Sequence, residues 1–352
     1  MKARRFVLPG AKVGIVLAVA VVVAVLPRFM GEYRLSQFTY VAIYFIALLG
    51  LNILTGYNGQ ISLGHGAFIG VGAYTSALLI LGRPGLQELN IDPPGWLPLG
   101  DGMRAVFTIP IAALVTGLVG FAFGFPALRL PGVSLALATL GIAVSLPSIA
   151  KKFDTVTGGG GGLNLPLPKT PFGWDVPTPH WLYYEAWVTA GVLFVIAWLL
   201  VRGRIGRAWR AIRDGEVAAT ASGVSPAAYK TLAFGASSAF AGAAGALFAI
   251  QVSYVNPDTF PLSLSILLLA SVVFGGLSSL TGVIFGALLM QFLPIYAQEV
   301  SKQAPSVVFG AVLILCMFVL PAGAAGLLHR VLRPLKNALV GRADEISPGA
   351  RS

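Results

Sequence analysis

Apolar and polar positions follow one another along this chain in long blocks, not residue by residue. A helix that crosses a bilayer needs about 20 mostly apolar residues. Ten stretches approach that requirement: roughly 12–27, 36–55, 61–82, 104–125, 132–150, 186–202, 228–250, 262–278, 281–297 and 305–321. The eighth and ninth are short, and they read as two spans, one bent span or a re-entrant pair. The pattern predicts an all-α, polytopic transmembrane helix bundle of about 8–10 spans. Residues 1–35 form a basic N-terminus and a first helix, 36–321 the main transmembrane domain, and 322–352 a basic polar tail. The first apolar run resembles a signal peptide, but it ends in LPRFMGEY without a small-x-small cleavage pattern. It is read as a retained helix.

The polar blocks carry the remaining information. The longest is Arg202–Lys230, RGRIGRAWRAIRDGEVAATASGVSPAAYK, in which five arginines and Lys230 face only Asp214 and Glu216. Gly223 suits the position just past a helix end. Ser225-Pro226 suits an N-cap followed by a first helical residue. The expected structure is a short amphipathic helix, a break and the start of a membrane helix. A solvated connector is the plain reading of such a charge run, and a docking element for a partner is the sharper one.

Composition fixes the class. Hydrophobic residues make up 56% and charged residues 11%, against roughly 25% charged in an ordinary soluble domain. Mean hydropathy is +0.82. The net charge of +11 could suggest nucleic acid, but the basic residues sit at the ends of apolar runs and not on one face of a folded domain. With ten spans and the N-terminus inside, 16 of the 24 Lys and Arg fall on the inner side. That bias follows the positive-inside rule. It places both termini and the 203–228 loop in the cytoplasm. Cys316, the single cysteine, lies in an apolar run and excludes an intrachain disulfide.

Two loops on the opposite side are long. Residues 83–102 contain Pro93, Pro94, Gly95, Trp96 and Pro98. Residues 151–185 contain five consecutive glycines, Gly158–Gly162, and the aromatics Phe172, Trp174, Trp181, Tyr183 and Tyr184. The aromatics are expected at the membrane interface. The glycine run lacks the following Lys-Ser or Lys-Thr of a phosphate loop.

Small residues recur at helical spacing in two spans. In the third they are Gly59, Ser62, Gly66, Gly70, Ala73 and Ala77; in the seventh, Gly235, Ser238, Gly242, Gly245 and Ala249. Such stripes let a neighbouring backbone approach, so Gly66, Gly70, Gly242 and Gly245 are expected in helix packing. Packing does not account for the polar start of the third span, TGYNGQISLGHG. Asn58, Gln60, Ser62 and His65 among four glycines suggest a broken helix bordering a translocation pathway. For His65 the alternative is a neutral ring bonded to a backbone carbonyl. A weak internal echo relates Gly59, Ser62, Gly66 and Gly70 to Gly275, Ser278, Gly282 and Gly286 at constant offset.

Catalytic constellations are missing. The three histidines are far apart, and HExxH, GxSxG, CxxC and GxxxxGK[ST] do not occur. No expected span carries a carboxylate in mid-membrane, which argues against a proton- or sodium-driven carrier. No metal ligand set is identified.

Three stretches carry a family resemblance. GYNGQISLGHGAFIGVGAYTSA, TGGGGGLNLP and GRAWRAIRDGEVAATASGVSPAAYKTLAFGASSAFAGAAGALFA resemble, respectively, the Gly-rich early helix, the outer loop and the cytoplasmic coupling loop of LivM-type permeases. Those permeases belong to the branched-chain amino acid ABC importers, and the likeness extends over about residues 35–320. It implies that Glu216, Ala218, Ala219 and Gly223 match the importers' "EAA…G" pattern. The segment at 203–228 would then insert into a groove on an ATPase subunit, with Arg207, Arg210, Arg213, Asp214 and Glu216 as rim ion pairs. Gly215 departs from the pattern, because a helix former there would start the helix more firmly.

The resemblance further implies a second, LivH-like permease, two ATP-binding-cassette subunits and an external solute-binding protein. ATP and Mg would be held by those partners, with no cofactor in this chain. The expected function is a non-enzymatic permease subunit importing branched-chain, apolar amino acids. The alternatives are a urea or short-chain amide importer of the same kind and, from another class, a passive channel.

Overall fold

The computed structural model describes residues 23–95, 97, 99–127, 130, 132–168 and 177–300, with positions 310, 311, 323 and 326. Most of the first and tenth expected spans, the basic tail, Trp96, Pro98, Arg129, Phe172, Trp174 and Cys316 lie outside the described residues.

Each of the eight middle apolar runs forms a helix. They are α1 (Glu32–Leu51), α2 (His65–Glu88), α3 (Ala105–Ala127), α4 (Val133–Lys152), α5 (Thr178–Arg202), α8 (Pro226–Val252), α9 (Leu262–Gly275) and α10 (Val283–Val300). The polar block between α5 and α8 supplies α6 (Arg204–Asp214) and α7 (Glu216–Ala221). A π-helical turn, Asn52–Tyr57, prolongs α1. Among the described residues seven helices are long and apolar enough to cross a membrane, and Val283–Glu299 is a shorter apolar helix. The eighth and ninth runs are therefore two separate helices joined by the turn 276–282.

Burial sorts these helices into an inner and an outer set. The most apolar windows of α1 and α8 are 83% buried, against 28% in α3, α4 and α5. The central α8 packs on α3, α2 and α1. Lipid is as apolar as leucine, so close packing and buried polar contacts must hold such helices together. Glycine makes the close packing possible here. A Cβ at Gly72 would collide with the Gly242 backbone, and one at Gly245 with the Ile69 carbonyl. Gly66 and Gly70 face Ser265 and Phe260 in the same way. On α3, Gly117, Gly120 and Gly124 lie against Ala239, Ser238 and Thr231 of α8. This third seam was not apparent from the stripes.

The outward faces of the outer helices differ. On α3 the exposed residues are apolar throughout, and so are those of α5 between 186 and 200. The exposed face of α4 instead sets Ser134, Ala138, Gly141, Ser145 and Ser148, small or hydroxyl-bearing residues at helical spacing, among its larger apolar ones.

Two expectations are corrected. The sixth span begins at Thr178, so Glu185 lies inside α5, only 7% exposed, with Trp181 as its polar neighbour. One span therefore does hold a buried carboxylate. The aromatic, mixed-polarity stretch before residue 186 hid the start of this helix. Tyr183, expected at the interface, is fully buried and donates to the Val23 carbonyl at 3.0 Å.

At the end of the bundle where α2 finishes and α5 begins, the glycine run folds onto the turn before α9. The two-residue strands β1 (Leu163–Asn164) and β2 (Tyr254–Val255) pair antiparallel. Tyr254 Oη donates to the Gly161 carbonyl at 2.9 Å, and Lys151 pairs with Asp258 at 2.7 Å.

Candidate functional site

The opposite end of the bundle gathers the polar block and both interruptions. Helix α6 is strongly two-sided. Gly206, Ala208, Trp209 and Ile212 are buried, Arg210 is half-buried, and Arg204, Arg207 and Asp214 are exposed. Trp209 is completely enclosed, and its Nε1 donates to the Tyr229 carbonyl in the first turn of α8 at 2.8 Å. Gly215 has extended backbone (φ 178°, ψ 102°) and makes the corner into α7. The expected single helix is thus two, joined at the residue whose helix propensity was weakest.

Helix α7 closes at Gly223, whose φ of +81° suits glycine. The Gly223 N–H donates to Thr220 and the Val224 N–H to Ala219. Ser225 caps α8 by position, without a side-chain hydrogen bond, and Pro226 opens it. On α7 only Ala219 is buried; Val217, Ala218, Thr220 and Ala221 are exposed, Val217 at 86%. A short helix therefore presents an uncovered face of small and apolar residues.

Three of the charged residues expected at a docking rim, Arg213, Asp214 and Glu216, form ion pairs within the chain. Glu216 pairs with Lys230 at 2.6 Å, which ties the start of α7 to α8. Arg213 turns toward the bundle. Its Nη1 donates to the Gly56 carbonyl at 2.9 Å and to Ser278 Oγ at 2.5 Å, while Nε and Nη2 meet Asp214 Oδ1 at 3.1 Å. Gly59, with φ +77°, makes room for it, since a Cβ there would lie 2.7 Å from Arg213 Cγ.

Beneath Arg213 lies a polar knot. The Asn52 side chain, fully buried, donates to the Ser279 carbonyl at 3.1 Å and accepts from the Ser278 N–H at 3.0 Å. Ser278 Oγ donates to the Gly56 carbonyl at 2.6 Å. Ser278 adopts φ +62°, a conformation that is uncommon for residues other than glycine and costs about 1–3 kcal/mol. Its three hydrogen bonds hold it there. The missed residues were Asn52, Gly56, Ser278 and Ser279. Two signals existed: a lone Asn inside an apolar run, and the echo that aligns Ser278 with Ser62.

The expected break in the third span is present. Residues 58–64 are non-helical, α2 starting only at His65, so Gly59 and Ser62 lie outside the helix whose stripe they seemed to begin. Irregular backbone at this depth must be satisfied by protein or water. Here protein does most of it. Asn58 Nδ2 donates to Gln60 Oε1 at 2.7 Å, the Gly64 N–H to Ser62 Oγ at 3.3 Å, and the Leu63 N–H to Thr139 Oγ1 of α4 at 2.9 Å. The Gly66 N–H donates to Ser265 Oγ of α9 at 2.9 Å.

His65 Nε2 is 3.0 Å from the Ala47 carbonyl, an acceptor only, so Nε2 carries the hydrogen. Asn58, Gln60, Ser62 and His65 are all buried. Asn58 Oδ1 is a buried acceptor without a hydrogen-bond partner among the described residues.

Comparison with known proteins fits this geometry. Residues 33–317 match the family described as branched-chain amino acid transport system, permease component. The chain is 32% identical to the high-affinity branched-chain amino acid transport system permease protein LivM of Escherichia coli K12. That match covers 95% of this chain and 80% of the relative. Identity to the protein of the same name from Salmonella typhimurium LT2 is also 32%, covering 87% and 73%. The autoinducer 2 import system permease protein LsrC of Escherichia coli K12 / DH10B is 27% identical, covering 81% and 78%. No solved structure matches the chain significantly.

Proposed function

The chain belongs to the family of permease components of branched-chain amino acid transport systems, and from that premise we propose that it forms half of the membrane path of an ATP-driven importer for branched-chain, apolar amino acids. It is a multi-pass membrane permease. The relatives are named as permease proteins of a branched-chain amino acid transport system and of an autoinducer 2 import system, which favours neither a urea or amide importer nor a passive channel.

The observation that carries the finer reading is the α6–α7 hairpin. It is held rigidly by Trp209, Arg213 and the Lys230–Glu216 pair, yet it leaves Val217, Ala218 and Ala221 uncovered. An exposed small-residue helix on a firm base fits a groove, and the exposed Arg207 of α6 steers and registers a partner. The hairpin docks an ATP-binding-cassette subunit, so this end of the bundle and both chain termini face the cytoplasm. ATP is bound together with Mg and hydrolysed by two such subunits, and an external solute-binding protein delivers substrate to the opposite end. A second, LivH-like permease completes the path. The outer face of α4 supports a helix neighbour there, since its small and hydroxyl-bearing residues suit close packing whereas α3 and α5 offer only apolar faces to lipid.

The test is reconstitution. The chain is purified in mild detergent with its co-purifying subunits, placed in liposomes, and supplied with binding protein outside and ATP inside. Uptake of radiolabelled leucine that requires ATP supports the reading. A chain that purifies as a homo-oligomer without ATPase subunits, or that passes leucine without ATP, overturns it.

A further inference from the structure

The knot under Arg213 joins three segments that are far apart in sequence. These are the docking hairpin (Arg213), the π-helical turn after α1 with the start of the break that follows it (Asn52, Gly56 and Gly59), and the turn between α9 and α10 (Ser278 and Ser279). We propose that Arg213 is a positioning residue for transport, a clasp through which movement of the docked hairpin is passed to both helix interruptions at once. This rests on the reading of α6–α7 as the ATPase-docking element.

Three features of the geometry support it. First, the guanidinium bridges both interruptions, because one nitrogen contacts Gly56 of the first and Ser278 of the second. A hairpin that shifts must either carry both segments with it or release both. Secondly, the contact is made by a side chain, on a residue 36% exposed, and not by a backbone ladder, so it can be broken and remade. Thirdly, Ser278 is held at φ +62° by the Arg213 contact together with its own bonds to Asn52 and Gly56. Strain maintained by surrounding contacts belongs at switching positions, where release lets the backbone relax.

The first interruption leads, through Gln60 and Ser62, to Leu63 on Thr139 of α4 and to His65 at the start of α2. The second leads directly into α10. Moving the two together changes the spacing of α2, α4 and α10, the elements tied to these two interruptions. A coupling free energy of this kind amounts to about 5–150-fold in an equilibrium.

The experiment uses the complete importer in liposomes and compares Arg213→Ala, Arg213→Lys and Ser278→Ala with the unchanged protein. Subunit recovery, ATP hydrolysis and leucine uptake are measured on the same samples. The clasp predicts intact complexes that still hydrolyse ATP, with leucine imported per ATP falling about tenfold for Arg213→Ala. Arg213→Lys, which keeps one charged donor, recovers part of that ratio. Ser278→Ala lowers the ratio in the same direction, and the double variant is no worse than Arg213→Ala alone.

An unchanged ratio in assembled Arg213→Ala and Ser278→Ala complexes overturns the clasp. Loss of the ATPase subunits from Arg213→Ala also overturns it, by making Arg213 a docking residue. If the unchanged chain never retains ATPase subunits, the docking reading itself fails. Should the Arg213→Ala chain fail to fold and so not be recovered from the membrane, the Ser278→Ala ratio decides alone.

Discussion

The two ends of this bundle are fastened by different means. At one end the glycine run 158–162 lies on the turn before α9, held by the β1–β2 backbone pair, the Tyr254 hydroxyl and the exposed Lys151–Asp258 pair. At the other, the α6–α7 hairpin and two helix interruptions are joined by side chains: Trp209, Arg213, Asn52 and Ser278. Backbone pairing fixes a register and seldom exchanges partners. Side-chain bonds to carbonyls are comparably strong but can be released singly. The first end is built to keep its shape, and the second is held in a shape it can leave.

Substitutions at both ends test that contrast. The largest loss is expected for Trp209→Ala, which empties the enclosed site that seats α6. Truncation of a buried Trp costs about 3–5 kcal/mol, seen as a lower melting temperature in detergent and as proteolysis within Arg204–Asp214. Next comes Asn52→Leu. It strips the Ser278 N–H and the Ser279 carbonyl of their partner, each orphaned buried group costing about 1–3 kcal/mol. Protease cleavage in the turn 276–282 should rise with it; unchanged cleavage would show the knot to be incidental.

At the opposite end the effects shrink. Tyr254→Phe removes the hydrogen bond donated to Gly161 and the one accepted from Asn256, each worth about 1 kcal/mol, while the backbone pair persists. Melting that drops as far as in Asn52→Leu would contradict the contrast. The smallest change is expected for Lys151→Met. Its partner Asp258 is exposed, and exposed pairs contribute about 0–1 kcal/mol, less at high salt. A loss that survives high salt would mean the pair does more than an open ion pair can.

Much of the architecture was legible because a bilayer imposes one dominant rule, continuous apolarity over a fixed length. All eight described runs became helices where apolarity was unbroken. The rule failed at Thr178–Glu185, where Trp, Tyr, His and Glu diluted the signal although the backbone is helical. The break before His65 was legible because Asn, Gln and His among glycines are poor lipid neighbours. The Gly223 turn was legible because its conformation singles out glycine.

The Arg213 knot was not legible, for a reason in the physics. Its members come from segments that are adjacent only after α1, α6 and α9 have packed. Asn52 stood in the open as one polar residue in an apolar run, but nothing along the chain named its partner. The glycine seams were half legible. Gly242 and Gly245 announced a close contact, yet that they meet Gly72 and Ile69 could be read only from the fold.

The burial of α1 against α8 also bears on how the protein is made. Helix α1 ends at Leu51, and the helix it packs on begins only at Pro226. During synthesis α1 and α2 are therefore in the membrane while α3 to α7 are added, with Asn52 still lacking the partners that residues 278 and 279 will supply. A nascent chain at that stage holds an unpaired amide among apolar residues, and the insertion machinery or a membrane chaperone must shelter it. A ribosome stalled before Pro226 would leave a fragment that quality-control proteases recognise. One stalled after Val252 would leave α1 packed on α8 but Asn52 still waiting for residues 278 and 279.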